Sequence, residues 1–279
     1  MTQKIASAGL VIALSVVLGV SPALASTSTM DVTTDNMQGW VFYNDQIGGP
    51  GTGVLAQGPG TPPIGSGSAQ FTLTGPSDGQ IIALGSYGGT QLSDLTTISY
   101  STYQSATNPS NATAIALQFN VDKDVTDTNT AWQGRLVYEP YQNNGGTVPL
   151  GSWNTWNALS GKWWLSKSAT SFGGNCSQAA PCTLAELETL YPNMGVHATV
   201  PGVVLKAGSG WTSFTGAVDA LTIGVSGTSV TYNFDVPPPP PPPVTTPSNK
   251  EACKNGGWMS FSNPTFKNQG QCVAYTNQN

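Results

Sequence analysis

Residues 114–121 read Ala-Ile-Ala-Leu-Gln-Phe-Asn-Val, and this stretch decides the fold class. Successive side chains of a β-strand point to opposite faces, so Ile115, Leu117, Phe119 and Val121 share one side. An apolar side of this kind is typical of a strand in a sheet with a buried face. We therefore predict a strand here, buried on that side.

Similar segments recur along the chain between turn signals. They comprise residues 40–43, 71–73, 81–84, 96–103, 135–138, 221–225 and 230–234. Ser226-Gly227-Thr228-Ser229 joins the last two and predicts a hairpin. Charged residues are only 8% of the 279 residues, and glycines number 33, a composition that favours strands and turns. The pattern predicts an all-β sandwich or barrel.

One short helix is predicted over residues 184–190. Thr183 and Glu186 have the spacing of a capping box, and Pro192 ends the helix. Glu186 and Glu188 lie near the helix N-terminus, where carboxylates suit the helix dipole. These two glutamates therefore need no catalytic explanation.

The N-terminus has the features of an export signal. Lys4 precedes an apolar run over residues 10–20, and Ala23-Leu24-Ala25 supplies the small residues that signal peptidase requires. A membrane anchor is the alternative, but the run is shorter than the ~20 apolar residues of a spanning helix. We predict a signal peptide over residues 1–25, a secreted mature chain and no membrane span after cleavage.

Two Gly- and Pro-rich segments organise the rest of the chain. Residues 48–67 predict a long ordered loop or a mobile flap. The proline run at 237–243 predicts an extended polyproline II spacer within a linker at 237–249. The linker separates a predicted sandwich domain, 26–236, from a small C-terminal module, 250–279.

Four cysteines allow three disulfide connectivities, and the linker favours local pairing. Cys176 then pairs with Cys182, and Cys253 pairs with Cys272. Disulfides persist in the exported compartment, and the second one staples a module too small to bury much core. The chain has no C-x-x-C spacing, which argues against metal binding by these cysteines.

The charge balance argues against nucleic acid as a partner. The chain has 9 lysines and arginines against 14 aspartates and glutamates, and the basic residues are scattered along the sequence. Phosphate backbones require clustered basic side chains.

Catalytic groups are sparse in the sequence. His197 is the single histidine, with no oriented constellation visible around it, and a hydrogen-bonded loop histidine is the simpler interpretation. Glycoside hydrolysis needs two facing carboxylates. Asp122 and Asp124 follow one predicted strand and Glu139 follows another, so a pair is conceivable. The simpler alternative is that Glu139 pairs with a nearby base or faces solvent.

An Asp-rich stretch over residues 120–129 is a candidate Ca²⁺ site. Asp122, Asp124 and Asp127 offer the oxygen ligands that Ca²⁺ takes, although Lys123 opposes binding. The alternative is an Asp-rich turn that satisfies its own backbone. No other cofactor is expected.

Four of the eight tryptophans crowd into residues 153–164. Exposed Trp153, Trp156, Trp163 and Trp164 would offer platforms for sugar rings, whereas buried ones would form core. Trp163 and Trp164 are adjacent, so a strand would point them to opposite faces. We therefore expect at least one of the pair to face outward.

Two resemblances follow from these segments. The C-terminal residues 253–258, CKNGGW, and 266–273, FKNQGQCV, resemble a short element found on secreted bacterial proteins, which implies no activity. Residues 153–164 and 218–223 look like parts of bacterial jelly-roll domains of the carbohydrate-binding-module type. This likeness implies a jelly-roll-like β-sandwich and transfers no site residues.

These features lead to three hypotheses of function. The first is a secreted, noncatalytic binding or adhesion protein that recognises a glycan or an envelope component. The second is a secreted polysaccharide-cleaving glycoside hydrolase. The third is a structural envelope protein whose aromatic residues are core.

Overall fold

The computed structural model describes residues 26–45, 49–237 and 246–278. The predicted signal peptide and most of the predicted proline linker lie outside these residues. The chain divides into two compact units, one up to Val236 and one from Pro237 onward. None of the helices in the described ranges has the length and apolar character needed to span a bilayer.

Most of the regular secondary structure of the first unit is β-strand. In chain order they are β1 (Ser26–Val32), β2 (Trp40–Asn44), β3 (Thr52–Gln57), β4 (Gly67–Leu73), β5 (Gly79–Leu84), β6 (Leu95–Gln104), β7 (Ala116–Asp122), β8 (Arg135–Tyr138), β9 (Trp153–Asn157), β10 (Lys162–Leu165), β11 (Cys182–Thr183), β12 (Gly195–Val196), β13 (Val203–Gly208), β14 (Phe214–Val225) and β15 (Thr228–Phe234).

Helices are few and short. They are α1 (Pro140–Asn143), α2 (Ser168–Ser171) and α3 (Leu184–Leu190) in the first unit and α4 (Gln269–Thr276) in the second, with 3₁₀ turns at Leu92–Asp94 and Gly257–Ser260. The prediction of one helix was therefore incomplete, because α1 and α2 are single turns with no periodic signal. The predicted α3 is present, and Thr183 and Glu186 form the expected capping box.

The strands form two sheets that pack face to face, which confirms the predicted all-β sandwich. In sheet I, β14 pairs with β6 on one side, and β6 pairs with β9; on the other side β14 pairs with β4 and β15, which lead to β3 and β1. Sheet II has the order β11-β10-β8-β7-β13-β5-β2, with β12 beside β7. The predicted hairpin is the antiparallel pair β14 and β15.

The core lies between the sheets and follows the alternation of the strands. Ile115, Leu117, Phe119 and Val121 are fully buried, as the opening stretch predicts. Phe119 stacks on Trp163 with ring centroids 5.5 Å apart. Strand β7 is central in sheet II, with β8 and β13 on its two sides, and all of its residues have low exposure.

The predicted loop over residues 48–67 contains strand β3, and its second half crosses the outer face of sheet I. Trp153 Nε1 donates to the Pro59 carbonyl at 2.8 Å, and Gln70 Nε2 donates to the Gly58 carbonyl at 3.0 Å. Ile64 N donates to Asp219 Oδ2 at 3.2 Å. We call residues 58–66 the roof loop, because they lie over the outward side chains of Trp153, Gln70 and Asp219 on sheet I.

The second unit is small and held by one disulfide. Cys253 and Cys272 are bonded and fully buried, and the bond ties the chain before the 3₁₀ turn to α4. Phe266 packs against Phe261 and Tyr275, with centroids 6.1 and 5.5 Å away. This pairing is the one predicted from the spacing.

Candidate functional site: a groove on the outer face of sheet II

The outer face of sheet II carries an open groove. Trp164 on β10 lies opposite Val137 on β8, and Val137 lies opposite Gln118 on β7. These three side chains alternate with the buried Trp163, Leu136 and Phe119, and they therefore point away from the core. Together with Lys206 they line two adjoining pockets, which makes the pockets parts of one groove.

We name each pocket after its charged residue. The Glu139 pocket has a volume of about 440 Å³, and its further lining residues include Tyr141, Gln178 and Trp211. The Arg135 pocket has a volume of about 390 Å³, and its further lining residues include Asp45, Trp132 and Lys167. Aromatic walls with a few convergent polar groups are typical of small-molecule sites.

Trp164 lies at the junction of the two pockets and is held in a fixed orientation. Its Nε1 donates to Glu139 Oε2 at 2.9 Å, and Gln178 Nε2 donates to the same oxygen at 3.2 Å. Its side chain is half-buried, so part of the indole remains open to the groove. The hydrogen bonds fix the indole as a preformed platform before any ligand arrives.

The rim of the Glu139 pocket is formed by a disulfide-bonded loop. Gln178 lies between Cys176 and Cys182, which are bonded as predicted. Gln142 Nε2 donates to the Gln178 carbonyl at 3.0 Å. The disulfide therefore fixes a side chain that reaches into the groove.

The Arg135 pocket is organised around one carboxylate between two cations. Asp45 Oδ1 accepts from Arg135 Nη2 at 3.1 Å, and Asp45 Oδ2 accepts from Lys206 Nζ at 2.5 Å. Partial burial alone would raise the pKa of Asp45, but the hydrogen bond and charge of Lys206 and the charge of Arg135 lower it below its ordinary value. Asp45 is therefore ionised across the physiological pH range.

Trp132 forms the outer wall of the Arg135 pocket and is 43% exposed. Its Nε1 donates to Asn120 Oδ1 at 2.8 Å. Lys167 Nζ lies 4.3 Å from the centroid of its ring, a cation–π contact. The pocket thus combines a second indole with a third cation.

The four tryptophans of the sequence prediction have different environments. Trp163 is fully buried and Trp156 is 8% exposed, so neither offers a face to a ligand, and for these two the platform prediction was wrong. Their Nε1 atoms donate to the Ala158 carbonyl and to Thr102 Oγ1. Trp153 is half-buried on the opposite sheet against Tyr103. Trp164 alone of the four lies in the groove, and it faces away from Trp163 as predicted.

The candidate Ca²⁺ residues behave as the alternative interpretation expects. Asp122, Asp124 and Asp127 each accept a backbone N–H two residues along the chain, from Asp124, Thr126 and Asn129, at 3.0, 3.0 and 2.7 Å. Asn193 Nδ2 also donates to Asp124. Within the ranges that the structure describes, no group of three or more acidic, histidine or cysteine side chains is placed to hold a metal ion.

The structure also shows the surroundings of the candidate catalytic residues. His197 is buried, and its Nδ1 accepts the Thr199 N–H at 3.2 Å, which matches a hydrogen-bonded loop histidine. Glu139 neither pairs with a base nor simply faces solvent, because it accepts from Trp164 and Gln178 inside the groove. Asp122 and Asp124 do not line either pocket with it.

Sequence reasoning missed Trp132, Arg135 and Lys206. The sequence carries a signal for two of the three: Arg135 is the only arginine in the chain, and Lys206 interrupts the apolar run of residues 203–207. A charged side chain on an otherwise apolar strand must point outward, and in a chain with few charges such positions are informative.

Comparisons with known proteins give little beyond the fold. No protein-family model matches the chain, and no curated protein matches it. One matching solved structure concerns the structural basis for the promiscuous specificity of carbohydrate-binding modules from the β-sandwich superfamily. It has a TM-score of 0.35 and 15% identity, and the match covers 72% of this chain and 63% of that one, which is less than two thirds of its length. A likeness of this size carries no argument about ligand or activity.

Proposed function

We propose that this chain is a secreted glycan-binding protein whose ligand lies in the groove of sheet II across Trp164. The observation that carries the proposal is the position of Trp164 at the junction of two pockets, fixed by Glu139 and flanked by polar side chains. Sugar rings have apolar faces that stack on an indole and hydroxyls that need hydrogen-bond partners. The groove supplies both kinds of contact.

Hydrogen-bond donors and acceptors lie on both sides of Ala116, whose small side chain forms part of the groove floor. Ala116 on β7 lies opposite Lys206 on β13, and Glu139 follows the strand on the other side of β7. A ring on Ala116 would meet an acceptor at Glu139 and a donor at Lys206. Gln118, which lines both pockets, can both donate and accept.

Asp45 does not have the pKa that the acid of a glycoside hydrolase requires. A hydrolase needs one carboxyl with a raised pKa to act as the acid. Asp45 and Glu139 are the carboxyls that line the two pockets, and Lys206 and Arg135 lower the pKa of Asp45. Reducing-end release from any bound polysaccharide, abolished by Glu139→Gln, would support the hydrolase instead.

The test is a glycan array on the purified chain, followed by titration of any hit against Trp164→Ala. We expect the affinity to fall at least about tenfold, because the indole provides the main stacking surface. Trp153→Ala is the matched control, since that indole is also half-buried and also donates one hydrogen bond, but on the opposite sheet. Equal losses in the two variants, or binding unchanged in both, would contradict the assigned groove.

Export is tested separately by the N-terminal sequence of the protein recovered outside the cell. Cleavage before Ser26 leaves β1 (Ser26–Val32) intact, and β1 pairs with β15 along its whole length. We expect Ser26 as the new N-terminus. A chain that retains residues 1–25 in the membrane fraction would favour the anchor alternative.

A further inference from the structure

The basic side chains of the first unit are concentrated at one end of the groove. Of the nine lysines and arginines in the chain, four lie outside residues 26–236, which leaves five in this unit beside 13 aspartates and glutamates. Three of those five, Arg135, Lys167 and Lys206, line the Arg135 pocket together with a single carboxylate, Asp45. An acidic unit therefore carries a local excess of positive charge in one pocket.

The sequence gives no hint of this cluster, since the three residues lie on β8, after β10 and on β13. Folding brings them together because β10, β8, β7 and β13 are neighbours in sheet II. Like charges in one pocket repel each other, and the arrangement is favourable only when negative charge is present. Asp45 supplies one negative charge against three positive ones.

The geometry around Asp45 shows what kind of anion the cations accommodate. One oxygen accepts from Arg135 Nη2 at 3.1 Å and the other accepts from Lys206 Nζ at 2.5 Å. This arrangement holds a carboxylate with one oxygen on each cation. The ammonium of Lys206 has three N–H donors, and Asp45 accepts a hydrogen bond from one of them.

Lys167 supplies a cation whose charge is not neutralised within the pocket. In the described parts of the chain its ammonium forms no salt bridge; it lies over the ring of Trp132 instead. A sugar that stacks between Trp132 and Trp164 would place its substituents near this ammonium. The pocket thus has an aromatic wall, an uncompensated cation and a pair of cations that share the single carboxylate of Asp45.

We propose that the Arg135 pocket binds a carboxylate-bearing sugar unit, so that the groove recognises an acidic, uronic-acid-containing polysaccharide in preference to a neutral one. The proposal rests on the glycan-binding function proposed above and names its ligand class. Glu139, at the other end of the groove, would face a neutral unit, because a second carboxylate there would be repelled. The preferred ligand thus alternates or mixes acidic and neutral units.

The test uses one oligosaccharide in two forms. The purified chain is titrated calorimetrically with a uronate-containing oligosaccharide and with the same oligosaccharide after chemical reduction of its carboxyls to alcohols. We expect the acidic form to bind at least about tenfold more tightly at low salt, because a charge-assisted hydrogen bond is stronger than a neutral one. The difference in affinity between the two forms should shrink in 0.5 M salt, where the Debye length is about 5 Å.

Two lysine variants assign the effect to the pocket. Lys167→Gln should lose most of the preference for the acidic form, measured as the ratio of the affinities for the acidic and the reduced oligosaccharide. Lys162→Gln is the matched control, since Lys162 lies on β10, five residues before Lys167, but outside both pockets. Lys167 has no salt-bridge partner among the described residues, so the variant is expected to fold normally.

Each outcome decides between the two proposals. Equal or tighter binding of the reduced form, still sensitive to Trp164→Ala, would overturn the acidic-ligand assignment and leave glycan binding in place. Failure of both forms and of every glycan on the array would overturn glycan binding itself. Tighter binding of a sulfated than of a carboxylated oligosaccharide would overturn the uronate assignment. Binding of a single-stranded oligonucleotide that is lost in Lys167→Gln would overturn it in favour of a nucleic acid ligand.

Discussion

The outer faces of sheets I and II start from the same strand alternation and reach opposite results. On sheet I the roof loop covers part of the outer face, and Asp219 there is fully buried beneath it. On sheet II the outward side chains of β7, β8, β10 and β13 line an open groove. Polar groups on the first face are thus enclosed by the fold, whereas those on the second line an open groove.

The same contrast is visible within one strand. Trp163 and Trp164 are neighbours on β10, yet Trp163 is sealed between Phe119 and Tyr138 and Trp164 stands in the groove. The predictions below separate the roles of covered and open residues, and they run from the largest expected effect to the smallest.

Trp163→Ala should destabilise the fold by about 3–5 kcal/mol, because it leaves a large cavity and removes the hydrogen bond from the indole to the Ala158 carbonyl. Trp164→Ala should cost about 1 kcal/mol, since it removes one hydrogen bond and leaves no closed cavity. Urea unfolding of the two variants measures the difference. Similar losses in both would show that the outward indole is also part of the core.

Asp219 should make stability fall as pH rises. Burial first, and the charge of Asp235 in addition, raise its pKa from 3.8 to about 6, although backbone N–H groups of Ala220, Phe234 and Ile64 act in the opposite direction. The folded chain therefore holds this proton more tightly than the unfolded chain. The protonated Asp219 therefore contributes about 3 kcal/mol to the free energy of unfolding. This contribution is fully present below about pH 4 and is lost by about pH 7.

Thermal or urea unfolding at a series of pH values checks this effect. Asp219→Asn cannot titrate, so the slope between pH 4 and pH 7 should flatten in the variant. The groove carboxylate Asp45 has a lowered pKa, so its titration changes the stability only below about pH 4. It does not contribute to the slope between pH 4 and pH 7. An unchanged slope in Asp219→Asn would show that the roof loop does not enforce burial of this carboxyl.

Thr183→Ala should destabilise the fold by about 1 kcal/mol, because it removes the N-cap of α3, which follows edge strand β11 of sheet II. Thr183→Ser keeps a hydroxyl and should restore most of the loss. Glycan affinity should stay unchanged in both, since α3 contributes no residue to the two pockets. A parallel loss of affinity would mean that the groove depends on this edge of the sheet.

The sequence predicts the sandwich well because strand alternation is a local property. Residues 114–121 have the predicted buried side, the hairpin of β14 and β15 forms, and Thr183 caps α3. The disulfide partners follow from the position of the proline linker. None of these inferences requires the order of the strands in the two sheets.

The groove depends on that missing information. The sequence predicts that Trp163 and Trp164 point to opposite faces of β10. It contains no local signal that tells which of the two faces the core. Arg135, Lys167 and Lys206 are scattered in sequence, and their proximity follows from the order of strands in sheet II. The sequence argument against a basic cluster therefore fails within this one pocket.

The disulfide beside the groove has a consequence for how the site matures. Gln178, which fixes Glu139, lies in the loop closed by Cys176 and Cys182, so the rim takes its final shape when the two thiols are oxidised. A chain that folds under reducing conditions would have the sheet without this closed rim. Acquisition of the complete groove is thereby coupled to the redox state of the compartment in which folding ends.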